Sequence, residues 1–249
     1  MLTDPSFYLV SIPAVLLYGI AKGGFGGAMS MLSVPMMALV MPPTQAAAII
    51  LPILVVMDGF AVHTYWGHYD RRALRLLLPG AIVGVGIGYL AAGVTHDAFM
   101  RVLIGAISLA FAAQQLLRLR ASTSSEHNPV AATVFGTLAG FTSFNIHAGG
   151  PPFTMYLMPK RLEPLLFAGT AGVFFAVVNL VKLVPYTLLG QFSTTNLLYS
   201  AVLVPLAPLG VKLGHFLVRR SSPGFYYQVI NLCLLAVGLK LLWEGVANW

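Results

Sequence analysis

The chain has 249 residues, of which 58% are hydrophobic and 8% charged, and its mean hydropathy is +0.84. An ordinary soluble domain carries about 25% charged residues, so this composition excludes a soluble enzyme, a cytosolic binding module and a disordered scaffold. A helix that crosses a bilayer takes about 20 mostly apolar residues, and the chain holds enough for roughly six to nine of them, as an integral membrane protein must. The 14 Lys+Arg against 7 Asp+Glu give +7 and a pI near 9.7. Basic residues collect in the cytoplasmic loops of membrane proteins. No stretch interleaves bases with aromatics on a polar face, so nucleic acid is not an expected partner.

Apolar segments fall in chain order at 7–40, 44–66, 73–94, 98–118, 131–159, 164–189, 195–217 and 225–247. Met1 to Ser6 has no basic residue before the first of them and does not read as a cleaved signal peptide. Six segments are plain spans. The first and fifth are longer and broken by glycine, at Lys22-Gly23-Gly24-Phe25-Gly26-Gly27 and at Ser143-Phe144-Asn145-Ile146-His147-Ala148-Gly149-Gly150-Pro151-Pro152. The polar stretch 119–129 divides repeat one (1–118) from repeat two (130–249), and the order of broken segment followed by three spans occurs in both. Pro79, Gly84 and Gly88 match Pro205, Gly210 and Gly214 at a constant offset of 126, and Gly67 is echoed by Gly190. Paired broken helices in a duplicated chain are a transporter signature.

Lys and Arg set the topology. If all eight segments cross, the basic loop residues divide evenly between the two faces. If each broken segment is a re-entrant hairpin, Arg71, Arg72, Arg75, Arg118, Arg120, Lys160, Arg161, Arg219 and Arg220 share the cytoplasmic face and Arg101 alone lies outside, as the positive-inside tendency prefers. Phe7 to Ala21 spans about 22 Å as a helix, short of the roughly 30 Å hydrocarbon core. The expected fold is therefore an all-α integral membrane protein of two inverted repeats. Each has a glycine-broken re-entrant helical hairpin (7–40, 131–159) followed by three transmembrane helices, with both termini outside. A full but kinked span is the alternative for each broken segment.

The run Gly19-Ile20-Ala21-Lys22-Gly23-Gly24-Phe25-Gly26-Gly27 with Pro35, the repeat Gly136-Thr137-Leu138-Ala139-Gly140 with Ala148-Gly149-Gly150-Pro151-Pro152, and Phe167-Ala168-Gly169-Thr170 with Asn179 resemble the TauE/SafE family of sulfite and organosulfonate exporters. The resemblance covers nearly the whole chain. It implies export of small sulfur oxyanions or sulfonates, with no cofactor, across a bacterial inner membrane; the partners are the anion and the lipid bilayer, and a homodimer stays open. Lys22 departs from the commoner glycine-only first motif, which points to altered selectivity.

Helix N-termini approached through glycine bind anions, and the second arm of each hairpin begins at a tip. Gly23, Gly24, Gly26 and Gly27 in the first tip, and Asn145, His147, Gly149 and Gly150 in the second, are therefore candidate substrate-binding residues. Lys22 and Lys182 join them as lysines at membrane depth, where a charge costs about 2.5–3.5 kcal/mol even on the lenient scale. Asp58, with Asn179, is a coupling group or half of a structural ion pair; a Lys–Asp pair holding helices together competes with the anion reading for all three charges. Gly84, Gly88, Gly210 and Gly214 read as helix-packing glycines. Tyr65, Trp66 and Tyr69 read as an interfacial belt. No HExxH, Gly-x-Ser-x-Gly or other metal or nucleophile spacing is present, so neither a metal site nor an enzyme is expected. An anion leaving a cell that is negative inside gains about 2.3 kcal/mol per charge per 100 mV, which favours export, whereas import requires coupling, for example to protons through Asp58 or His147.

Overall fold

The computed structural model describes residues 5–25, 33–37, 40–92 and 127–247, and between them residues 98, 102, 105, 106, 108, 109, 112 and 113. Gly26 and Gly27 of the first break, most of the 98–118 segment and most of the 119–129 linker lie outside the described residues. The chain runs through helices α1 (Pro5–Gly24), α2 (Ser33–Met37), α3 (Pro43–Thr64), α4 (Arg71–Leu90), α5 (Pro129–Ile146), α6 (Gly150–Leu157), α7 (Pro164–Leu188), α8 (Thr194–Leu203), α9 (Leu206–Arg220) and α10 (Pro223–Ala247). Among the described residues every regular element is helical. Of these helices, α1, α3, α4, α7 and α10 are long and apolar enough to cross a bilayer, and α8 with α9 is a bent pair that is together long and apolar enough for one more.

Polar side chains fix where several helices start. The Asp70 carboxylate accepts from the Arg72 and Ala73 N–H groups at 2.9 Å each, and Asn128 accepts from Val130 and Ala131 at 2.9 and 3.1 Å, satisfying donors that the first turn leaves open. Gly67 and Gly190, after α3 and α7, both take left-handed backbone with φ of +81° and +66°, which glycine adopts at little cost.

Two expectations change. The first arm is longer than the sequence suggests: α1 has 20 residues, about 30 Å at 1.5 Å per residue, so shortness no longer argues for a hairpin. The plain span at 195–217 is bent by 46° between Leu203 and Leu206. Pro205 withdraws the N–H that would close onto the carbonyl four residues back, and its ring crowds that carbonyl. Its counterpart Pro79 lies within the continuous helix α4.

The second break brings its two arms into contact. After Ile146 the chain turns through His147, and Gly149 lies so close to α5 that a Cβ on it would stand 2.8 Å from the Ala139 carbonyl and 2.9 Å from the Ser143 Cβ. Further along α6, the Tyr156 hydroxyl lies 3.3 Å from Nδ1 of His127, two residues before α5 begins. Tyr156 of α6 thus lies near the start of α5.

Each half's first helix is seated against the other half. A Cβ on Gly19 would fall 2.7 Å from the Gly210 Cα, and one on Gly214 would fall 2.3 Å from the Ile20 carbonyl, where α1 crosses α9. The same holds where α5 crosses α4: a Cβ on Gly84 would meet the Thr137 carbonyl at 2.1 Å, and one on Gly140 the Ala81 carbonyl at 2.0 Å. Backbones this close exclude any side chain, which is how small residues drive helix association in lipid. Gly84, Gly88, Gly210 and Gly214 are packing residues, as expected. Gly23 and Gly24 share that role, since a Cβ on either would strike the backbone of α9 at Val211 or Gly214.

Candidate functional site

Between these two crossings, α3 and α7 meet and bury a polar cluster. Along α7 the residues Phe175, Asn179, Lys182 and Tyr186 follow one another at spacings of four, three and four, which places them on one face. Asp58 projects from α3, Lys22 from the last turn of α1, and Ser143 and His147 from the end of α5. Lys22, Asp58, Ser143, His147, Asn179 and Lys182 are all buried, and Lys182 is 0% exposed.

Lys22 forms a salt bridge with Asp58 Oδ1, and its ammonium lies 5.1 Å from the Phe175 ring centroid. The other carboxylate oxygen of Asp58 accepts from Asn179 Nδ2 at 2.7 Å. Asn179 Oδ1 in turn accepts from Lys182 Nζ at 3.4 Å, while Lys182 also reaches Ser143 Oγ at 3.3 Å and His147 Nδ1 at 2.9 Å. With Lys182 charged, its ammonium only donates, so Nδ1 would accept and the imidazole hydrogen would be on Nε2. That nitrogen lies 3.3 Å from the Tyr186 hydroxyl, which donates to the Phe144 carbonyl at 3.0 Å. The network thus runs unbroken from Lys22 through Asp58, Asn179, Lys182 and His147 to Tyr186.

The second tip supplies its own geometry. His147 has φ of 51° and ψ of 30° and caps α5 in left-handed backbone, a conformation in which histidine is enriched among non-glycine residues. Its neighbour Ala148 is locked by Thr142, whose carbonyl accepts from the Ala148 N–H at 3.1 Å and whose hydroxyl donates to the Ala148 carbonyl at 2.9 Å. At the start of α6, Pro151 and Pro152 carry no N–H, and the Phe153 N–H closes onto the Gly149 carbonyl at 3.3 Å. The donors this helix start offers are therefore the Gly149 and Gly150 N–H groups. Asn145 is turned away: its Nδ2 donates to the Phe141 carbonyl on its own helix at 2.9 Å.

Tyr65 requires a correction. It is buried rather than part of an interfacial belt, and its hydroxyl donates to the Gly23 carbonyl, beside the Tyr226 hydroxyl, which donates to the Gly24 carbonyl at 2.6 Å. Together they satisfy carbonyls that the end of α1 leaves open. Trp66, one residue on, is 73% exposed and fits the belt. Sequence reasoning also passed over Ser143, Phe175 and Tyr186; the α7 spacing was the available signal for the last two.

A second polar group lies beyond the spans. His127 Nε2 is 3.0 Å from Asp70 Oδ2, and its ring stacks on Tyr156, whose ring centroid also lies 4.6 Å from Lys160 Nζ. Burial holds the His127 imidazole below the usual histidine range; Asp70 opposes that shift, and Lys160 and Arg72 add to it. This contact ties the linker to α4 of one half and α6 of the other. Among the described residues, no three His, Cys, Asp or Glu converge as a metal site would require.

Buried charges at membrane depth, paired helices seated in the opposite half and an apolar exterior define a multi-pass membrane protein with an internal polar site. A family model described as Sulfite exporter TauE/SafE matches residues 11–241, and the chain belongs to that family. No curated protein and no solved structure gives a significant match.

Proposed function

We propose that this protein is a secondary transporter exporting small sulfur-containing anions, sulfite or short organosulfonates, across a bacterial inner membrane. Lys182 carries this reading. Its ammonium is fully buried, and the three partners described for it, Ser143, His147 and Asn179, are neutral. Lys22 and Asp58 neutralise each other, so the cluster holds an excess of +1. A buried charge without a counter-charge is costly, and a bound anion is the partner that removes the cost. The substrate site is read as the space between Lys182 and the Gly149 and Gly150 N–H groups, with Lys22, Asp58 and Asn179 fixing the electrostatics behind it. The test is efflux of labelled sulfite from proteoliposomes. Sulfite and ethanesulfonate should both leave, and unlabelled substrate on the far side should accelerate exit. Flux without that acceleration would indicate a channel, and absence of binding to any such anion would overturn the reading.

The inverted-repeat topology belongs to the same proposal. The approach of α6 to the start of α5 and the reciprocal seating of α1 on α9 and α5 on α4 support two re-entrant hairpins whose tips converge on the cluster. Single cysteines at Ser193 and Ser222, in a Cys233→Ser background, are then expected to label from opposite sides of the membrane, with Ser222 cytoplasmic. Labelling of both from one side would remove the inverted arrangement.

A further inference from the structure

Lys182 has three N–H donors, and the structure shows three acceptors for them: Ser143 Oγ at 3.3 Å, His147 Nδ1 at 2.9 Å and Asn179 Oδ1 at 3.4 Å. The ammonium is saturated. An anion that comes to it must displace one of these acceptors. Asn179 is pinned, because its Nδ2 is held by Asp58, and a freed Asn179 oxygen would face the anion as a second acceptor. His147 lies on the side of the Gly149 and Gly150 N–H groups, two and three residues along the chain, where an anion bridging Lys182 and the tip would sit. Released from Lys182, its Nδ1 would also point a lone pair at the anion unless it gained a hydrogen.

We propose that Lys182, His147 and Tyr186 form a proton-accepting arm of the anion site, and that one proton is taken up onto His147 Nδ1 with each anion bound. The proposal rests on the anion-site reading above. In the step, the Lys182 N–H leaves Nδ1 and turns to the anion. A proton from water then adds to the Nδ1 lone pair, and the new N–H becomes a second charged donor. That proton is delivered by hydronium, whose O–H bond breaks to leave water as the N–H forms; when the anion departs the N–H breaks and the proton returns to water.

Two of the groups around His147, Lys182 and Lys22, are cationic and disfavour a charge on it while the site is empty; a bound anion offsets them, which is why uptake is tied to binding. Lys182 and Tyr186 face it from α7, themselves bound to Ser143 and the Phe144 carbonyl of α5; the Ala47 backbone faces it from α3, and Lys22, paired with Asp58, acts on it from α1. Nε2 stays anchored against the Tyr186 oxygen throughout, which keeps the ring in place while Nδ1 changes from acceptor to donor. Tyr186 sits two residues before the end of α7 and its ring meets that of Phe192 at a tilt, 6.0 Å between centroids. It is therefore the member of the network nearest the Gly190–Ser193 turn, and protons would reach His147 from that face.

Calorimetric titration of the purified full chain with ethanesulfonate, sulfate and sulfite, in two buffers of different ionisation heat, counts the protons. Ethanesulfonate does not titrate near neutrality, so its count belongs to the protein alone. Wild type should take up close to one proton per anion, and its affinity should fall about tenfold per pH unit while the free site is neutral at His147. His147→Asn keeps a residue that tolerates left-handed backbone; it should still bind, more weakly, with no proton uptake and a flat pH profile. Anion binding by wild type without proton uptake overturns this proposal and leaves the anion site standing, as does undiminished uptake in His147→Asn. Absence of binding by all three anions overturns the anion site itself, and the proton-accepting arm with it.

Discussion

Replacing Lys182 by methionine is expected to weaken anion binding by at least one to two decades while the protein remains folded. The substitution keeps the length of the side chain and removes the buried charge that, among the described residues, no carboxylate touches. A hydrogen bond to a charged group contributes about 1.5–3 kcal/mol, and every 1.4 kcal/mol is about tenfold in affinity. Folding loses less, because the methionine relieves the cost of burying an uncompensated ammonium, offsetting the loss of a donor at Ser143, His147 and Asn179. Lys182→Glu should abolish binding outright, since repulsion replaces attraction. Lys182→Arg keeps the sign of the charge but carries a planar fork that cannot reproduce contacts with three separate acceptors, and should fall between the two. Titration with sulfite, followed calorimetrically, orders the three variants. Unchanged affinity in a folded Lys182→Met protein would mean that the excess charge is not the anion's partner.

The all-helical, membrane-spanning character of the fold was legible in the sequence, and some of the buried polar residues were nameable, for physical reasons that differ by residue. Segment positions follow from hydropathy alone, because lipid exposure is written into composition. The packing glycines were readable from their four-residue spacing, since only close backbone approach makes that spacing useful inside a span. Pro79 and Pro205 show the limit: they occupy matching places in the two halves, yet one lies in a continuous helix and the other marks a bend. Tyr65 was misread because nearness to a span end does not say which way a ring points; its burial depends on where α1 ends, a tertiary fact. Lys22 and Asp58 are separated by 36 positions on helices whose rotation the sequence does not fix, so pairing and anion binding were equally open to both lysines. Lys182 was nameable as a lysine at depth, but only the structure separates it from Lys22 as the charge that, among the described residues, has no counter-charge. The stripe Phe175, Asn179, Lys182, Tyr186 was available in the spacing and is the most informative pattern the sequence held.

That separation changes what is expected of Lys22. Its ammonium is bound to Asp58 in a pair that is about 3% exposed on both sides, and Asp58 is further held by Asn179. Breaking a buried pair by removing one partner typically costs about 3–5 kcal/mol, because the survivor is left uncompensated. Lys22→Met strands the Asp58 carboxylate at membrane depth, and Asp58→Asn strands the lysine. Each single change should lower the yield of folded protein and its melting temperature, by on the order of 10 °C at about 2–4 °C per kcal/mol for a chain of this size. The double change Lys22→Met with Asp58→Asn leaves no charge behind, and the new amide still offers an oxygen to Asn179 Nδ2. It should recover most of the lost stability, and a strongly non-additive cycle is the mark of direct coupling. Anion affinity in the double variant should stay within about tenfold of wild type, because Lys182 is untouched and the net charge of the cluster is the same. If Lys22 instead contacts the anion, the pattern inverts: the single Lys22→Met protein would melt near the wild-type temperature and lose binding, and the second substitution would restore nothing.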